Sequence, residues 1–191
     1  MLKFKSTRIW LAAAAITTSM AAQAADPAFD YRIIATSKTS TMEKELNEGA
    51  AAGFRFSKAM GGKSANGGHE VIAAMVKDDS PKTSRSYKLL ATQKTSTMEK
   101  ELQRAADEGY SYLEQTVFET AFGGREVVVI MERDPARKER YRSYRLLATT
   151  KTSTMEKELQ EAGGEGYVLL GLTIGKTEFG GEEVVTILGR Y

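Results

Sequence analysis

The chain has 191 residues and a nearly balanced charge, with 27 Lys and Arg against 25 Asp and Glu. A general grip on a phosphate backbone needs clustered Lys and Arg in excess, so this balance argues against nucleic-acid binding. The sequence has one His and no Cys, which excludes disulfide bonds and thiolate metal sites. We expect no cofactor and no bound metal.

The first 24 residues have the features of a secretory signal peptide. Three basic residues, Lys3, Lys5 and Arg8, precede an apolar run over 9–16, and Ala22-Gln23-Ala24 is typical of a cleavage site. The run is too short to span a bilayer, and no later segment approaches the ~20 apolar residues that a membrane helix needs. We expect cleavage after Ala24, a periplasmic or secreted product and no membrane span. Without those three cations the net charge of +2 becomes −1.

The rest of the chain is a threefold repeat. The block Lys-Thr-Ser-Thr-Met-Glu-Lys-Glu-Leu occurs unchanged at 38–46, 94–102 and 151–159. The similarity extends on both sides of the block and predicts repeats at 31–78, 87–134 and 144–191. The two joints contain Pro and polar residues, as linkers do.

Each repeat begins with a predicted strand and continues with a predicted helix. In the second copy the strand covers 87–92, which is short and rich in apolar residues. Ser96 and Glu99 have the spacing of a capping box, in which a hydroxyl and a carboxylate satisfy the first helical N–H groups. Ser40/Glu43 and Ser153/Glu156 have the same spacing. Gly109 is expected to end the helix in a left-handed conformation.

Two further strands follow the helix. Residues 110–118 alternate as in a strand with one exposed side, and Gly123-Gly124 predicts a turn. The last strand contains the continuous apolar run Val127 to Met131, so both of its faces should be buried. A right-handed crossover between the first two strands leaves a gap, and inserting the third strand there gives the order 1-3-2. The sequence thus predicts an α+β fold of three βαββ repeats.

One helix covers only one face of such a sheet, although the central strand is apolar on both. Something must cover the second face. We expect the three sheets to pack around a shared core, with the helices outside. A homo-oligomer would serve the same purpose.

The repeated block suggests one kind of ligand site. At the strand-to-helix loop a Lys, hydroxyl groups and the free N–H groups of a helix start come together, which is a generic anion site. The candidate ligand-binding residues are Lys38, Ser40, Lys94, Ser96, Lys151 and Ser153. The structural alternative is that the Ser caps the helix and that the identity of the block reflects duplication.

His69 is the single histidine, and it follows a glycine-rich turn in the hairpin 58–69. This hairpin differs most between the repeats, so we regard His69 as a candidate for partner binding. One imidazole without Cys makes a poor catalytic or metal centre, and no catalytic residue is assigned.

The run from Leu159 to Leu170 has a Leu-rich helix end followed by Glu165-Gly166-Tyr167 and a strand, and Asp107-Glu108-Gly109-Tyr110 is similar. This signature resembles that of small uncharacterised βαββ domains, the domain-of-unknown-function 4177 type. The resemblance implies the fold and supplies no site residues.

Taken together, these patterns favour an exported, non-enzymatic repeat protein that acts as a binding or assembly module. Its partner would be another protein or a further copy of itself. The alternative is a small-molecule or anion binder at the strand-to-helix loops, and a hydrolase is the third hypothesis.

Overall fold

A computed structural model describes residues 28–63, 68–79, 83–92, 95–119, 125–176 and 181–191. For residues 95, 96, 118, 119, 125 and 176 only the backbone is described. The predicted signal segment, Lys94, the side chain of Ser96 and most of the predicted glycine turns lie outside this part.

The described chain forms twelve elements, four for each repeat. Repeat 1 contains β1 (Asp30–Thr36), α1 (Thr39–Ala51), β2 (Arg55–Lys63) and β3 (His69–Lys77). Repeat 2 contains β4 (Ser86–Thr92), α2 (Thr95–Asp107), β5 (Ser111–Glu119) and β6 (Arg125–Arg133). Repeat 3 contains β7 (Ser143–Thr149), α3 (Thr152–Gly164), β8 (Val168–Lys176) and β9 (Glu182–Arg190). The predicted α+β fold of three βαββ units is confirmed.

Each repeat has its own three-stranded sheet. The strand orders are β1-β3-β2, β4-β6-β5 and β7-β9-β8, as predicted, and all neighbours are antiparallel. In β6 the residues Val127 to Met131 are all buried, which agrees with a central strand covered on both faces. None of the helices in the described part is long and apolar enough to span a membrane.

Glycine ends each helix, as expected. Gly53, Gly109 and Gly166 have φ angles of 90°, 93° and 86°, a region that L side chains rarely adopt. At the end of α2, the N–H of Gly109 donates to the carbonyl of Ala106 and that of Tyr110 to the carbonyl of Ala105, each at 2.9 Å. These bonds satisfy carbonyl groups that the helix end would leave open.

The predicted capping boxes are wrong where the structure describes them. The helix caps are Lys38 and Lys151, whose side chains make no capping hydrogen bond. The carbonyl of Lys38 already accepts from Thr41 and Met42 at 3.1 Å, so the helix begins before Ser40. Ser40 and Ser153 therefore lie inside the first turn with exposed side chains.

The core consists of two clusters, and each one joins two neighbouring repeats. We call the face of a sheet that carries its helix the helix side, and the opposite face the bare face. The first cluster joins the helix side of repeat 1 to the bare face of repeat 2; it includes Met42, Leu46, Ala73, Val128 and Ile130. The second joins repeat 2 to repeat 3 in the same way; it includes Met98, Leu102, Val129, Val185 and Ile187.

The repeats bury apolar surface against one another, as the sequence predicts, but the expected single shared core is wrong: the described core forms two clusters, and the repeats stack in chain order. The bare face of each following sheet covers the helix side of the preceding one. The helices keep a charged face in solvent, where Lys44 pairs with Glu48 and Lys157 with Glu161. Among the described residues, this stacking leaves the bare face of repeat 1 and the helix side of repeat 3 without a covering repeat.

Candidate functional site

The loops of the predicted anion site are open and partly acidic. Lys38, Ser40, Lys151 and Ser153 are exposed, and the structure brings Ser40 into a groove with the carboxylates of Glu43 and Glu101. A carboxylate repels an anion, so this groove does not have the charge that the hypothesis needs. The hydroxyl of Thr36 accepts the N–H of Lys38 at 3.1 Å, which already satisfies one backbone group of the loop.

His69 is the first residue of β3, where it faces Lys63 across the hairpin and is half-buried. Among the described residues, no group of three or more His, Cys, Asp and Glu side chains could hold a metal ion. The structure thus places His69 in the diverged hairpin, at the end of the sheet where β1 leads into α1.

Glu132 is a buried carboxylate in the described core. Its side chain pairs with Arg137 at 2.8 Å and with Arg85 at 3.5 Å, and it accepts the hydroxyl of Tyr87 at 3.2 Å. Arg137 belongs to the joint between repeats 2 and 3. These partners satisfy the charge, so Glu132 has a structural role.

An amide side chain of each preceding helix binds the first strand of the next repeat. Asn47 of α1 donates to the carbonyl of Tyr87 and accepts the N–H of Tyr87, both at 2.9 Å. Gln103 of α2 accepts the N–H of Tyr144 at 3.3 Å and donates to the carbonyl of Arg142 at 3.0 Å. The amide thus satisfies backbone groups on the outer edge of a sheet.

The glutamate of the repeated block binds the same edge strand. Glu43 accepts the N–H of Leu89 at 2.8 Å, and Glu99 accepts the N–H of Leu146 at 3.0 Å. Each bond joins residues of different repeats. The glutamates predicted to cap their own helices therefore hold the next repeat instead.

The tyrosine that opens a repeat reaches back into the preceding one. The hydroxyl of Tyr87 accepts the N–H of Phe56, and that of Tyr144 accepts the N–H of Tyr112, both at 2.8 Å. Phe56 and Tyr112 lie at bulges, where the pairing of β2 and β5 shifts by one residue. Burial raises the pKa of both Tyr87 and Tyr144 above the ordinary value, so their hydroxyls stay neutral in the fold.

Facing strands complete each junction. The N–H of Gly61 in β2 donates to the hydroxyl of Thr116 in β5 at 2.8 Å. At the next junction, Gln115 of β5 donates to the hydroxyl of Thr173 in β8 at 2.9 Å. Together with the tyrosine, glutamate and amide, these contacts define a junction that the chain builds twice.

Within the described residues, no other repeat covers the bare face of repeat 1. By the strand register one face holds Tyr31, Ile33, Met60, Ile72 and Ala74, which we call the head surface. Tyr31 is 65% exposed, whereas its counterparts Tyr87 and Tyr144 are 2% and 5% exposed. Ile33 is also exposed, unlike Leu89 in the first junction. The head surface thus corresponds to the surface with which repeats 2 and 3 each pack against the preceding repeat, but in repeat 1 it is exposed.

The other end of the chain shows the complementary surface. Leu169, Leu172 and Ile174 of β8 are exposed on the helix side of repeat 3, next to Glu156 and Gln160 of α3; these five residues form the tail surface. A mainly apolar groove of about 540 Å³ runs between α3 and β8 and is lined by Met155, Glu156, Leu159, Leu172 and Ile174, among others. Contiguous exposed apolar surface of this kind marks interaction sites in soluble proteins.

Sequence reasoning did not find these surfaces. Asn47 and Gln103 lie next to the repeated block, but their partners are 40 and 41 residues away. The usable signal was that Tyr31, Glu156 and Gln160 occupy the same repeat positions as residues with junction partners. The periodic pattern of the strands alone does not reveal which faces meet.

Comparisons with protein-family models, with curated proteins and with solved structures found no match to this chain. The resemblance of the helix-to-strand signature to small βαββ domains of unknown function therefore stays a prediction.

Proposed function

We propose that this chain is an exported, non-enzymatic binding or assembly module that docks a protein on the tail surface of its third repeat. The N-terminal signal pattern supports a periplasmic or secreted location. The membership of the repeats in the 4177-type βαββ domains is part of the same proposal.

One observation carries the proposal: the tail surface has the same docking groups that hold a folded repeat at the two internal junctions. Glu156 and Gln160 occupy the positions of Glu99 and Gln103, and their side chains make no hydrogen bond within the described residues. Next to them, Leu169, Leu172 and Ile174 are each more than half exposed. Burying these side chains under a partner is favourable by roughly 25 cal/mol for each Å² of apolar surface covered.

The chemistry of the described side chains supports a role without catalysis. Glu43 and Glu99 accept backbone N–H groups of the next repeat, and Glu132 is held between two arginines. General acid and base groups must face a substrate across a cleft, whereas these carboxylates bind other groups of the protein.

Native mass spectrometry of the chain, purified gently from its own host, tests this proposal. We expect the wild type to carry a further polypeptide, and the mass of the chain itself to lack residues 1–24. Leu172→Glu puts a charge in the groove and should release the polypeptide, because an unpaired charge is costly to bury. Lys157→Ala is the matched control: it changes the net charge equally in the same repeat, on the solvent face of α3.

A wild-type chain that is found alone, or a polypeptide that Leu172→Glu retains, would overturn the docking function. Retention by Lys157→Ala together with loss in Leu172→Glu supports it.

A further inference from the structure

We propose that the partner on the tail surface is the head surface of a second copy of this chain, docked with the geometry of the internal junctions. This inference rests on the proposed docking function and names its partner. Repeat 1 of one copy would follow repeat 3 of another as repeat 2 follows repeat 1.

The polar groups of the two ends match in kind and in position. Across the junction between repeats 2 and 3, Glu99 holds the N–H of Leu146, and Gln103 holds the N–H of Tyr144. At the ends of the chain, Glu156 and Gln160 occupy the positions of the two acceptors. Ile33 and Tyr31 occupy the positions of the residues whose N–H groups they would bind. The outer edge of β1 pairs with no other strand in the described sheets, so its backbone groups are open to these side chains.

The tyrosine contact has a counterpart as well. The hydroxyls of Tyr87 and Tyr144 each accept an N–H group at the bulge of the preceding repeat. The bulge of β8 lies between Leu169 and Gly171, so the N–H of Leu169 is the matching donor. The exposed hydroxyl of Tyr31 is the matching acceptor.

A pair of positions that is polar inside the chain is apolar at both ends. Inside the chain Gln115 meets Thr173 in a polar contact. At the ends, the position of Gln115 is taken by Leu172 and that of Thr173 by Met60, which are 58% and 62% exposed. Contact between two apolar side chains at paired positions removes their surface from water, which is favourable. Without that contact both side chains stay exposed to water.

In the part of the chain that the structure describes, neither end of the stack has a polar cap. Stacked repeats stay monomeric when terminal units carry a polar outer face, and here both outer faces are apolar. A head-to-tail contact uses two different surfaces, so it generates a ring if the rotation closes and a filament if it does not. Both forms leave the tail surface of an internal copy covered.

Two variants of the full chain, each blocked at one end, test the inference by analytical ultracentrifugation. Ile33→Glu blocks the head surface and Leu172→Glu blocks the tail surface; both positions are exposed, so each chain should keep its fold, as circular dichroism checks. Met60→Glu and Ile174→Glu are second variants in case one of the first pair misfolds.

We expect the wild type to form species of two or more chains at about 0.1 mM, a concentration that populates even weak contacts. Each blocked variant alone should be a monomer. Their equimolar mixture should form dimers and nothing larger, because only one open head and one open tail remain. The double variant Ile33→Glu/Leu172→Glu has both ends blocked and should not associate with either single variant. Lys157→Ala should assemble as the wild type does.

A wild type that stays monomeric overturns the inference, as does a mixture of the blocked variants that forms no dimer. If Leu172→Glu abolishes association but Ile33→Glu does not, the tail surface binds something other than the head surface. The docking function then survives and the head-to-tail partner does not. The same holds if the wild type is monomeric when pure but carries a different polypeptide from its host at the tail surface.

Discussion

At the residue scale, the junctions depend on polar groups that satisfy backbone N–H and carbonyl groups of another repeat. A buried N–H group without a partner costs about as much as the hydrogen bond that it has lost. The tyrosine hydroxyls, the amides of Asn47 and Gln103, and the block glutamates remove this cost at each internal junction. They therefore fix which strand faces which, beyond what apolar contact alone would do.

Tyr144→Phe should lower the free energy of unfolding by about 1–3 kcal/mol, because it removes the acceptor of the buried N–H of Tyr112 and leaves the ring in place. Urea denaturation of the full chain measures the change. Tyr31→Phe is the control: its hydroxyl is exposed in a single chain, and its effect should be within about 0.5 kcal/mol at concentrations where the chain is monomeric. Equal losses in the two variants would contradict the assigned role of the hydroxyl.

At the element scale, β2 and β5 approach closely enough to need glycine at one position. A Cβ atom on Gly61 would lie 1.9 Å from the carbonyl oxygen of Val117, whereas one on the adjacent Gly62 would have nothing within 4 Å. The obstacle at Gly61 is backbone, which cannot swing away as a flexible side chain can. Gly61 therefore sets the distance between the first two repeats.

Gly61→Ala should destabilise the chain by about 1–3 kcal/mol, as forced overpacking does. Gly62→Ala, its neighbour in the same strand, should leave stability nearly unchanged or raise it by a few tenths of a kcal/mol, since alanine restricts the unfolded chain. Thermal unfolding of the two variants side by side measures the difference. If the two alanine variants melt together, the close approach of β2 to β5 is not as described.

Most of the elements could be predicted from the sequence, because their causes are local. The apolar run from Val127 to Met131 predicts a central strand, and the glycine after each helix predicts its end. The prediction of capping boxes was wrong because the spacing of Ser40 and Glu43 does not reveal where the helix starts. The end surfaces could not be predicted because Glu43 and Asn47 bind partners 46 and 40 residues away.

At the scale of the whole molecule, the three repeats form a stack in which the middle one both covers its predecessor and is covered by its successor. Burial of the opening tyrosines in the two junctions follows from this order, and so does the exposure of Tyr31. The stack links the stability of the whole chain to the protonation of buried phenols.

Raising the pH above about 10 should therefore lower the free energy of unfolding of the chain. Burial raises the pKa of Tyr87, Tyr112 and Tyr144 above the ordinary value of about 10, so the unfolded chain loses protons that the folded chain keeps. Stability is complete below pH 10 and declines as the pH rises past it. Urea denaturation at stepwise higher pH measures the slope.

In Tyr144→Phe the slope should be smaller than in the wild type, because one titrating group is gone. A slope that is identical in both would mean that Tyr144 ionises as easily in the fold as outside it.

The middle repeat has a consequence for how such a gene can change. Its two faces fit the same kinds of neighbour, so unequal recombination could add or delete one whole unit without altering either terminus. A lengthened or shortened descendant would inherit ends that still complement each other. The number of repeats can then change while the contacts between neighbouring repeats stay the same.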